Sequence, residues 1–189
     1  MQIGYLAKEK TEVKFKINLF TINKEMKFTH LHVHTHYSVL DGMSKIPDLV
    51  NKARKVGMNA LAITDHGNMF GIKEFIDCVS KANKGVEPSE KFKPIVGVEA
   101  YCARRTLFDK DKDVKEINAE TGREFIVDRS GWHLILLKKN KKGYQNLCKL
   151  VSQSWIDGFY VRPRIEKNIL EKYHEGLIAL SGCIAGEVA

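Results

Sequence analysis

The chain has 189 residues, of which 43% are hydrophobic and 29% charged, and its formal net charge is +8. This length suits one domain with its own hydrophobic core, or a part of a larger protein. No apolar run approaches the ~20 residues of a membrane span, and no signal-peptide core precedes the first motifs, so the sequence predicts a cytoplasmic protein with no membrane partner. The positive charge favours a phosphate-rich partner such as a nucleic acid.

Hydrophobic spacing and turn residues predict the elements of the first half of the chain. In order, they are a strand at 28–34, a helix at 44–57 capped by Ser44, a strand at 60–64, a helix at 71–84 and a strand at 93–99. Residues 104–130 carry many charges and little periodicity, which indicates a surface insertion or a long loop.

The second half continues the alternation of strands and helices. It contains a predicted strand at 132–138, a helix at 141–156, a loop at 157–164, a short helix and a strand at 176–181. Five short apolar strands separated by helices predict an α/β fold with a parallel sheet, either a barrel cut short or an open doubly wound sheet. The glycine motifs of Rossmann and P-loop nucleotide-binding sheets are absent from the sequence.

Four of the seven histidines lie at alternate positions, His30, His32, His34 and His36. On a strand such residues share one face, and grouped imidazoles suit a metal site better than a hydrophobic core. His32 and His34 are the strongest ligand candidates. His30 is expected to orient a ligand from behind, and His36, beyond the strand end, is expected to lie in solvent.

Further candidate ligands lie at the ends of the predicted strands, where active sites of parallel α/β domains are found. Together with one histidine at the start of the fourth strand, the set is His32, His34, Asp41, Asp65, His66, Glu99, His133 and Cys183. Imidazole, carboxylate and thiolate groups predict zinc, or manganese or iron where oxygen ligands dominate.

Some of these residues also have a simpler structural explanation when taken alone. His133 could be a hydrogen-bonded histidine of the core or surface, Asp65 a helix cap and Glu99 a salt-bridge partner. The four cysteines form no Cys-x-x-Cys motif and are expected to be reduced thiols. Several metal-binding side chains arriving from different strands at one rim favour the metal site.

The sequence resembles the polymerase and histidinol phosphatase (PHP) superfamily of metal-dependent phosphoesterases. The motifs that carry this resemblance are His32-Val33-His34, Thr64-Asp65-His66-Gly67, Gly97-Val98-Glu99, His133 and Ser181-Gly182-Cys183. Segments such as GFYVRPRI and LSGCIAGEV extend it to one branch, the N-terminal domains of bacterial DNA polymerase III alpha subunits. It covers residues 28–188 and leaves residues 1–27 outside as an N-terminal extension.

The resemblance implies a fold and a set of ligands. The fold is a distorted TIM-like barrel, seven-stranded in the family and truncated here to about five strands, in a PHP domain at 28–189. Divalent ions, up to three in the family, would be zinc or manganese, with iron or magnesium as alternatives. By motif, His32, His34 and Glu99 would hold the first ion, Glu99, His133 and Cys183 the second, and Asp41 and His66 the third.

The resemblance also implies a role in DNA replication. The full-length protein would be a DNA-directed DNA polymerase with a possible 3′–5′ exonuclease, and its partners would be DNA, other replisome subunits and downstream polymerase domains of the same chain. The family's late Asp-x-His motif is missing from this sequence, so the chain alone is expected to be inactive. The alternatives are a free-standing phosphatase of the superfamily acting on a small phosphomonoester, or a non-catalytic replisome scaffold.

Two arginines beside Pro163 are further candidates for a functional role. Arg162 and Arg164 could contact nucleic-acid phosphate or form structural ion pairs. The lysines at 138–142 could likewise contact phosphate or form the solvated start of a helix.

Overall fold

A computed structural model describes residues 28–119, 121–129, 131–182 and 184–187. Two sequence predictions lie outside the described residues, namely the N-terminal extension at 1–27 and the ligand role of Cys183. None of the helices in the described ranges is long and apolar enough to cross a bilayer.

Helices and strands alternate along the described ranges, except that four strands follow one another in the middle of the chain. In chain order they are α1 (Ile46–Lys55), β1 (Ala60–Ile63), α2 (Ile72–Ala82), β2 (Lys93–Ala103), β3 (Lys115–Ile117), β4 (Glu124–Ile126), β5 (Gly131–Lys138), α3 (Lys141–Ile156), β6 (Arg164–Ile165), α4 (Lys167–Tyr173) and β7 (Leu177–Leu180). The main sheet has the order β1-β2-β5-β7, and β6 also pairs with β2. The predicted α/β class, with about five strands in the main sheet, is confirmed over the described ranges.

The prediction of a parallel sheet is wrong for β5. Strands β1 and β6 pair parallel with β2, but β5 runs antiparallel to both β2 and β7. A parallel neighbour needs a crossover connection, usually a helix. The residues between β2 and β5 form instead a β3–β4 hairpin, and the chain returns in the opposite direction.

Residues 28–34 lie beside β1 without forming the predicted strand. The amide of Ala62 donates to the carbonyl of His30 (2.9 Å), and the amide of Thr64 donates to the carbonyl of Val33 (2.8 Å). The register shifts by one residue between these two bonds, and the amide of Val33 donates to the Thr64 hydroxyl instead of a backbone carbonyl (2.9 Å). An extra residue of this kind interrupts a ladder, as in a β-bulge.

Helix α1 starts later than predicted. Lys45 is at its N-cap without a side-chain cap bond, whereas Ser44 uses its backbone carbonyl to accept the amide of His36 (3.0 Å). Ser44 therefore fixes the loop that follows the histidines and does not cap the helix. The helix ends before Gly57, whose φ of +84° is the left-handed conformation typical of a helix terminus.

The predicted insertion at 104–130 carries the β3–β4 hairpin and is tied to the domain by Arg164. This side chain is buried, and its guanidinium donates to the carbonyls of Gly158, Asp128, Leu107 and Asp109 at 2.8–3.0 Å. A guanidinium that is buried and makes its hydrogen bonds inside the protein cannot contact nucleic acid. Arg164 therefore has a structural role, but it binds backbone carbonyls and forms none of the predicted ion pairs among the described residues.

The hydrophobic core fills the space between the main sheet and the helices. Its fully buried members include Ile46 and Val50 of α1, Phe75 of α2, Leu147 and Leu150 of α3, and Ile63, Val96, Val98, Leu136 and Ile165 of the sheet. Burying side chains of this size contributes roughly 1.5–3 kcal/mol each before the entropy of ordering is subtracted. The packed sheet fixes the strand ends that carry the candidate ligands.

Candidate metal centre

Glu99 lies at the centre of the candidate site. It is on β2, and its side chain is only 1% exposed. Its Oε2 atom is 2.8 Å from Nε2 of His32 and 2.8 Å from Nε2 of His34, and its Oε1 atom is 2.6 Å from Nδ1 of His133. Imidazoles therefore face both oxygens of one buried carboxylate.

The antiparallel course of β5 explains why His133 joins this group. His133 lies opposite Tyr101, two residues beyond Glu99 on β2. Because the strands run in opposite directions, the start of β5 lies at the same edge of the sheet as the end of β2. A histidine at the beginning of a strand therefore reaches a rim formed by strand ends.

His66 and Asp41 form the other side of the site. Nε2 of His66 is 2.9 Å from Oδ2 of Asp41, and the His66 ring stacks on that of His34 with 4.1 Å between centroids. Nδ1 of His66 is buried and 3.4 Å from Oε2 of Glu99, and it has no hydrogen-bond partner among the described residues. Buried ring nitrogens ordinarily have one, so this atom suits coordination.

The candidate ligands form three overlapping groups. They are His32 with His34 and Glu99, His34 with Asp41 and His66, and His66 with Glu99 and His133, and within each group the ligand atoms lie within 4.8 Å of one another. Six of the seven ligands implied by the family resemblance thus come together in the structure, and the seventh, Cys183, lies outside the described part of the chain. Asp65, the further candidate named from sequence, is in none of these groups. The identity of the ligands and of the ions stays a prediction.

The close packing of histidines and a carboxylate changes their pKa values. Burial alone would raise the pKa of Glu99, but hydrogen bonds from His133, His34 and His32 outweigh it and hold the pKa well below its usual range. Burial lowers the pKa of His66, and the charge of Glu99 offsets this only in part. A neutral imidazole beside an ionised carboxylate is the protonation state that divalent cations require.

His34 has its tautomer set by Ser38. The Ser38 hydroxyl donates to Oδ1 of Asp65 (2.8 Å), so at 3.1 Å from Nδ1 of His34 it can only accept a proton from that nitrogen. The neutral His34 ring must then carry its lone pair on Nε2, facing Oε2 of Glu99. Two electron pairs in contact are stabilised either by a proton or by a cation placed between them.

Both outcomes agree with the surroundings of His34. Burial lowers the pKa of His34, but the hydrogen bond and the charge of Glu99 raise it by a larger amount. The pKa of His34 therefore lies above its usual value. Without a cation a proton satisfies the site, and with one the same nitrogen becomes a ligand. The donor set, the orphaned nitrogen of His66 and the facing lone pairs all fit a divalent ion.

Sequence reasoning missed the network that supports these ligands. Asp65 is buried and accepts the amide of Thr35 (2.6 Å), the hydroxyl of Thr35 (2.9 Å) and the hydroxyl of Ser38. The amide of His66 donates to the same Ser38 oxygen (3.1 Å). The signal was an acid directly after a buried strand, followed by a candidate ligand, but nothing local identified Thr35 and Ser38 as its partners.

The two flanking histidines have different surroundings. His36 is exposed as predicted, with its Nε2 atom 4.0 Å from Oε2 of Glu74. The exposed His30 ring packs edge-on against Phe28, with centroids 4.8 Å apart. Ser38, rather than His30, occupies the ligand-orienting position beside His34.

Residues 30–189 match the PHP domain family, and the chain belongs to that family. The proteins it resembles are DNA polymerase III alpha subunits. It is 47% identical over 160 residues to that of Borreliella burgdorferi and 45% identical over 159 residues to that of Aquifex aeolicus. These matches cover 85% and 84% of this chain but only 12% of each relative. The predicted superfamily and branch are confirmed.

One solved structure gives a weaker match. It comes from Bifidobacterium adolescentis, is a metal-dependent phosphoesterase by its name, and is 17% identical with a TM-score of 0.40. The match covers 67% of this chain and 32% of that one. Similarity at this level supports no further statement about the site.

Proposed function

We propose that this chain is the metal-dependent phosphoesterase domain of a replicative DNA polymerase alpha subunit. The observation that carries the proposal is the arrangement around Glu99, in which imidazoles face both oxygens of one buried carboxylate. A carboxylate approached from both sides can hold two cations next to each other. Two adjacent cations suit the in-line displacement of a phosphoester.

The proposed ligand sets are those that the family resemblance implies, and each of their described members belongs to at least one of the spatial groups. His32, His34 and Glu99 hold one ion, Glu99 and His133 hold a second together with Cys183, and Asp41 and His66 hold a third. We propose zinc or manganese as the native metal, with iron or magnesium as alternatives. The four imidazoles favour zinc, and the carboxylates of Asp41 and Glu99 would suit manganese.

The chain's own residues prepare the site for this chemistry. Divalent cations bound here would activate water and neutralise the charge that develops on a phosphoryl group. Ser38 fixes the His34 tautomer, so a cation would bind at Nε2 in exchange for a proton, whereas burial favours a neutral His66 that is already free of one. Asp65 holds the loop that carries Thr35 and Ser38 against β1.

The proposed substrate is a phosphodiester of DNA, cleaved from the 3′ end. The similarity to DNA polymerase subunits and the net charge of +8 support a nucleic-acid substrate. In the longer protein, the partners would be DNA, other replisome subunits and the polymerase domains.

Metal uptake tests the proposal independently of turnover. The purified chain and its Glu99→Gln variant are dialysed against Mn²⁺ or Zn²⁺ and then against metal-free buffer, and the retained metal is measured by elemental analysis. We expect the wild-type chain to retain at least one ion and Glu99→Gln to retain much less. Equal retention by both proteins, or none by the wild type, would remove the basis of the proposal.

A phosphodiester assay then tests the reaction. In the longer protein, release of mononucleotides from the 3′ end of a labelled single strand should require the retained metal and be lost in Glu99→Gln. Hydrolysis of small phosphomonoesters without attack on the oligonucleotide would favour the free-standing phosphatase instead.

A further inference from the structure

A strained turn lies beside the candidate metal centre. The amide of Tyr160 donates to the carbonyl of Arg162 (3.1 Å), and Val161 between them has a φ of +65°. A β-branched residue with positive φ is a genuine outlier, because its side chain clashes with the backbone in that conformation. Strain of this kind persists where the surroundings enforce it, often at functional positions.

The surroundings fix this turn against the residue that follows His66. A Cβ atom at Gly67 would lie only 2.5 Å from Cγ of Pro163, so the turn packs directly on the Gly67 backbone. The indole nitrogen of Trp155 donates to the Gly67 carbonyl (2.8 Å) and holds the same segment. The position of Arg162 is therefore coupled to that of a candidate ligand.

Arg162 lies one aromatic ring away from two candidate ligands. Its exposed guanidinium lies over the Tyr101 ring, 5.0 Å from the centroid. The Tyr101 ring is nearly parallel to that of His66 (5.7 Å, 14°) and meets that of His133 edge-on (5.1 Å, 80°). A positive charge is thus held at the border of the metal centre without occupying a ligand position.

The same arginine lines a groove that leads away from the centre. The groove has a volume of about 470 Å³ and is lined by Lys115, Glu124, Phe125, Ile126, Arg129 and Arg162. Lys115 is paired with Glu124 (2.8 Å). Within the part of the chain that the structure describes, neither Arg129 nor Arg162 forms a salt bridge, whereas Arg105 is paired with Asp128.

The groove thus combines two exposed guanidinium groups, which form no salt bridge among the described residues, with the half-buried ring of Phe125, one face of which is covered by Arg104 (4.8 Å). These are the elements of a single-strand binding groove. Guanidinium groups suit phosphate oxygens because of their planar, forked geometry, and aromatic rings accept the face of any base. A phosphomonoester would need only the end next to the metals. A groove that continues past Arg162 to the β3–β4 hairpin suits a polymer of phosphates.

We propose that this groove binds the phosphodiester backbone of a single-stranded polynucleotide, with Arg162 at the end nearest the metals and Arg129 further along. The proposal rests on the proposed function for the direction of the strand, since the metal centre defines where its terminus lies. The strained turn at Val161 serves to present Arg162 to the strand.

The test is oligonucleotide binding by the 189-residue chain in EDTA. A fluorescein-labelled oligothymidylate is titrated by anisotropy at several salt concentrations with the wild type, Arg162→Ala and Arg129→Ala. Arg123→Ala is the matched control, because Arg123 is exposed at the hairpin turn, outside the groove, and its loss changes the net charge equally. Thermal unfolding of each variant verifies that it is folded.

We expect salt-dependent binding by the wild type and about fivefold weaker binding by each groove variant, with a salt slope reduced by about one. Arg123→Ala should bind within about twofold of the wild type, and Arg162→Lys should recover part of the loss. An equal loss of oligonucleotide affinity in Arg123→Ala and Arg162→Ala, or no measurable binding by the wild type, would overturn the proposal that this groove binds a single strand.

Because oligonucleotide binding is measured in EDTA, its result is independent of metal binding and of the proposed reaction. If the wild-type chain retains no metal but the Arg162→Ala substitution lowers oligonucleotide affinity, the proposed binding role of the groove is supported and the proposed reaction is contradicted. If metal uptake and oligonucleotide affinity are both unchanged in Arg162→Ala, the proposed reaction is still supported and the proposed binding role of the groove is contradicted.

Discussion

Ser38 and His34 are joined by a hydrogen bond in which the serine can only be the acceptor. The Ser38 proton is directed to Asp65 (2.8 Å), so the contact of 3.1 Å to Nδ1 of His34 requires a proton on that nitrogen. A hydrogen bond to one ring nitrogen of a ligating histidine determines that the other nitrogen is the one free to bind a metal. A buried serine thereby controls the chemistry of a neighbouring histidine.

Replacing Ser38 should therefore weaken metal binding without removing any ligand. We expect Ser38→Ala to reduce Mn²⁺ or Zn²⁺ affinity by about 10- to 100-fold, the usual effect of losing such a partner. Isothermal titration calorimetry measures it. Ser44→Ala is the control, because Ser44 is exposed and contributes only its backbone carbonyl to the loop. Unchanged affinity in Ser38→Ala would contradict the assigned tautomer.

Metal removal should lower the thermal stability of the chain. An ion at 100 times its dissociation constant stabilises the folded state by about 2.7 kcal/mol, which corresponds to roughly 5–10 °C in a domain of this size. We expect EDTA to lower the Tm of the metal-loaded chain by that amount. The Glu99→Gln variant should melt at the same temperature with and without EDTA, and a similar shift in that variant would assign the ion to another place.

The ion pair of Asp128 with Arg105 should stabilise the insertion in a pH-dependent manner. The hydrogen bond from Arg105 lowers the pKa of Asp128, and burial opposes this only in part. A carboxyl with a lower pKa in the folded chain stabilises it above the unfolded pKa of about 3.9, and this stabilisation is lost as the pH falls.

We expect Asp128→Asn to cost about 2 kcal/mol of unfolding free energy at pH 7, because the Asp128 side chain is buried and also accepts the amide of Asp111 (2.7 Å). Urea denaturation at pH 7 and pH 3 should show a smaller difference from the wild type at pH 3. Asp113→Asn, at an exposed position of the same insertion, should change little at either pH. A constant difference at both pH values would exclude this carboxylate as its source.

Helix α3 should not tolerate a side chain at Gly143. A Cβ atom there would lie 1.8 Å from the carbonyl oxygen of Gly176, on the turn that leads into β7. Alanine ordinarily stabilises a helix interior relative to glycine by about 1 kcal/mol, but here the backbone must move. We expect Gly143→Ala to destabilise the fold by about 3 kcal/mol in urea denaturation.

Gly85 provides the comparison for Gly143. It has a φ of +71° but open space where a Cβ would lie. Gly85→Ala should cost only about 1 kcal/mol, the cost of a left-handed residue with a side chain. If both variants lose the same stability, the close approach of α3 to Gly176 is not the cause.

Side-chain chemistry was easier to predict from the sequence than strand direction. His32, His34, His66, Glu99 and His133 are identifiable by residue type and by their places near predicted strands. The sequence pattern of β5 is the same whether it pairs parallel or antiparallel, because both of its faces are covered. Only the hairpin in the preceding insertion decides the direction, and its strands have three residues each, too few for a periodic signal.

Two other features depended on contacts between residues distant in the sequence. The Asp65 network joins residues about 30 positions apart, and the register shift beside β1 arises from a threonine hydroxyl that replaces a backbone carbonyl. Arg164 likewise cannot be distinguished from Arg162 by sequence, although one is buried and the other exposed. In each case the determining information is tertiary.

The hydrogen bonds of Arg164 connect the two walls of the proposed groove through the protein interior. The carbonyls that it binds belong to Gly158, just before the strained turn, and to Leu107, Asp109 and Asp128, in the insertion that carries the hairpin. One core side chain therefore clamps both walls of the groove to the same strand of the sheet. The two walls must move as a unit, so the width of the groove is set from the protein interior and not by whatever lies between its walls.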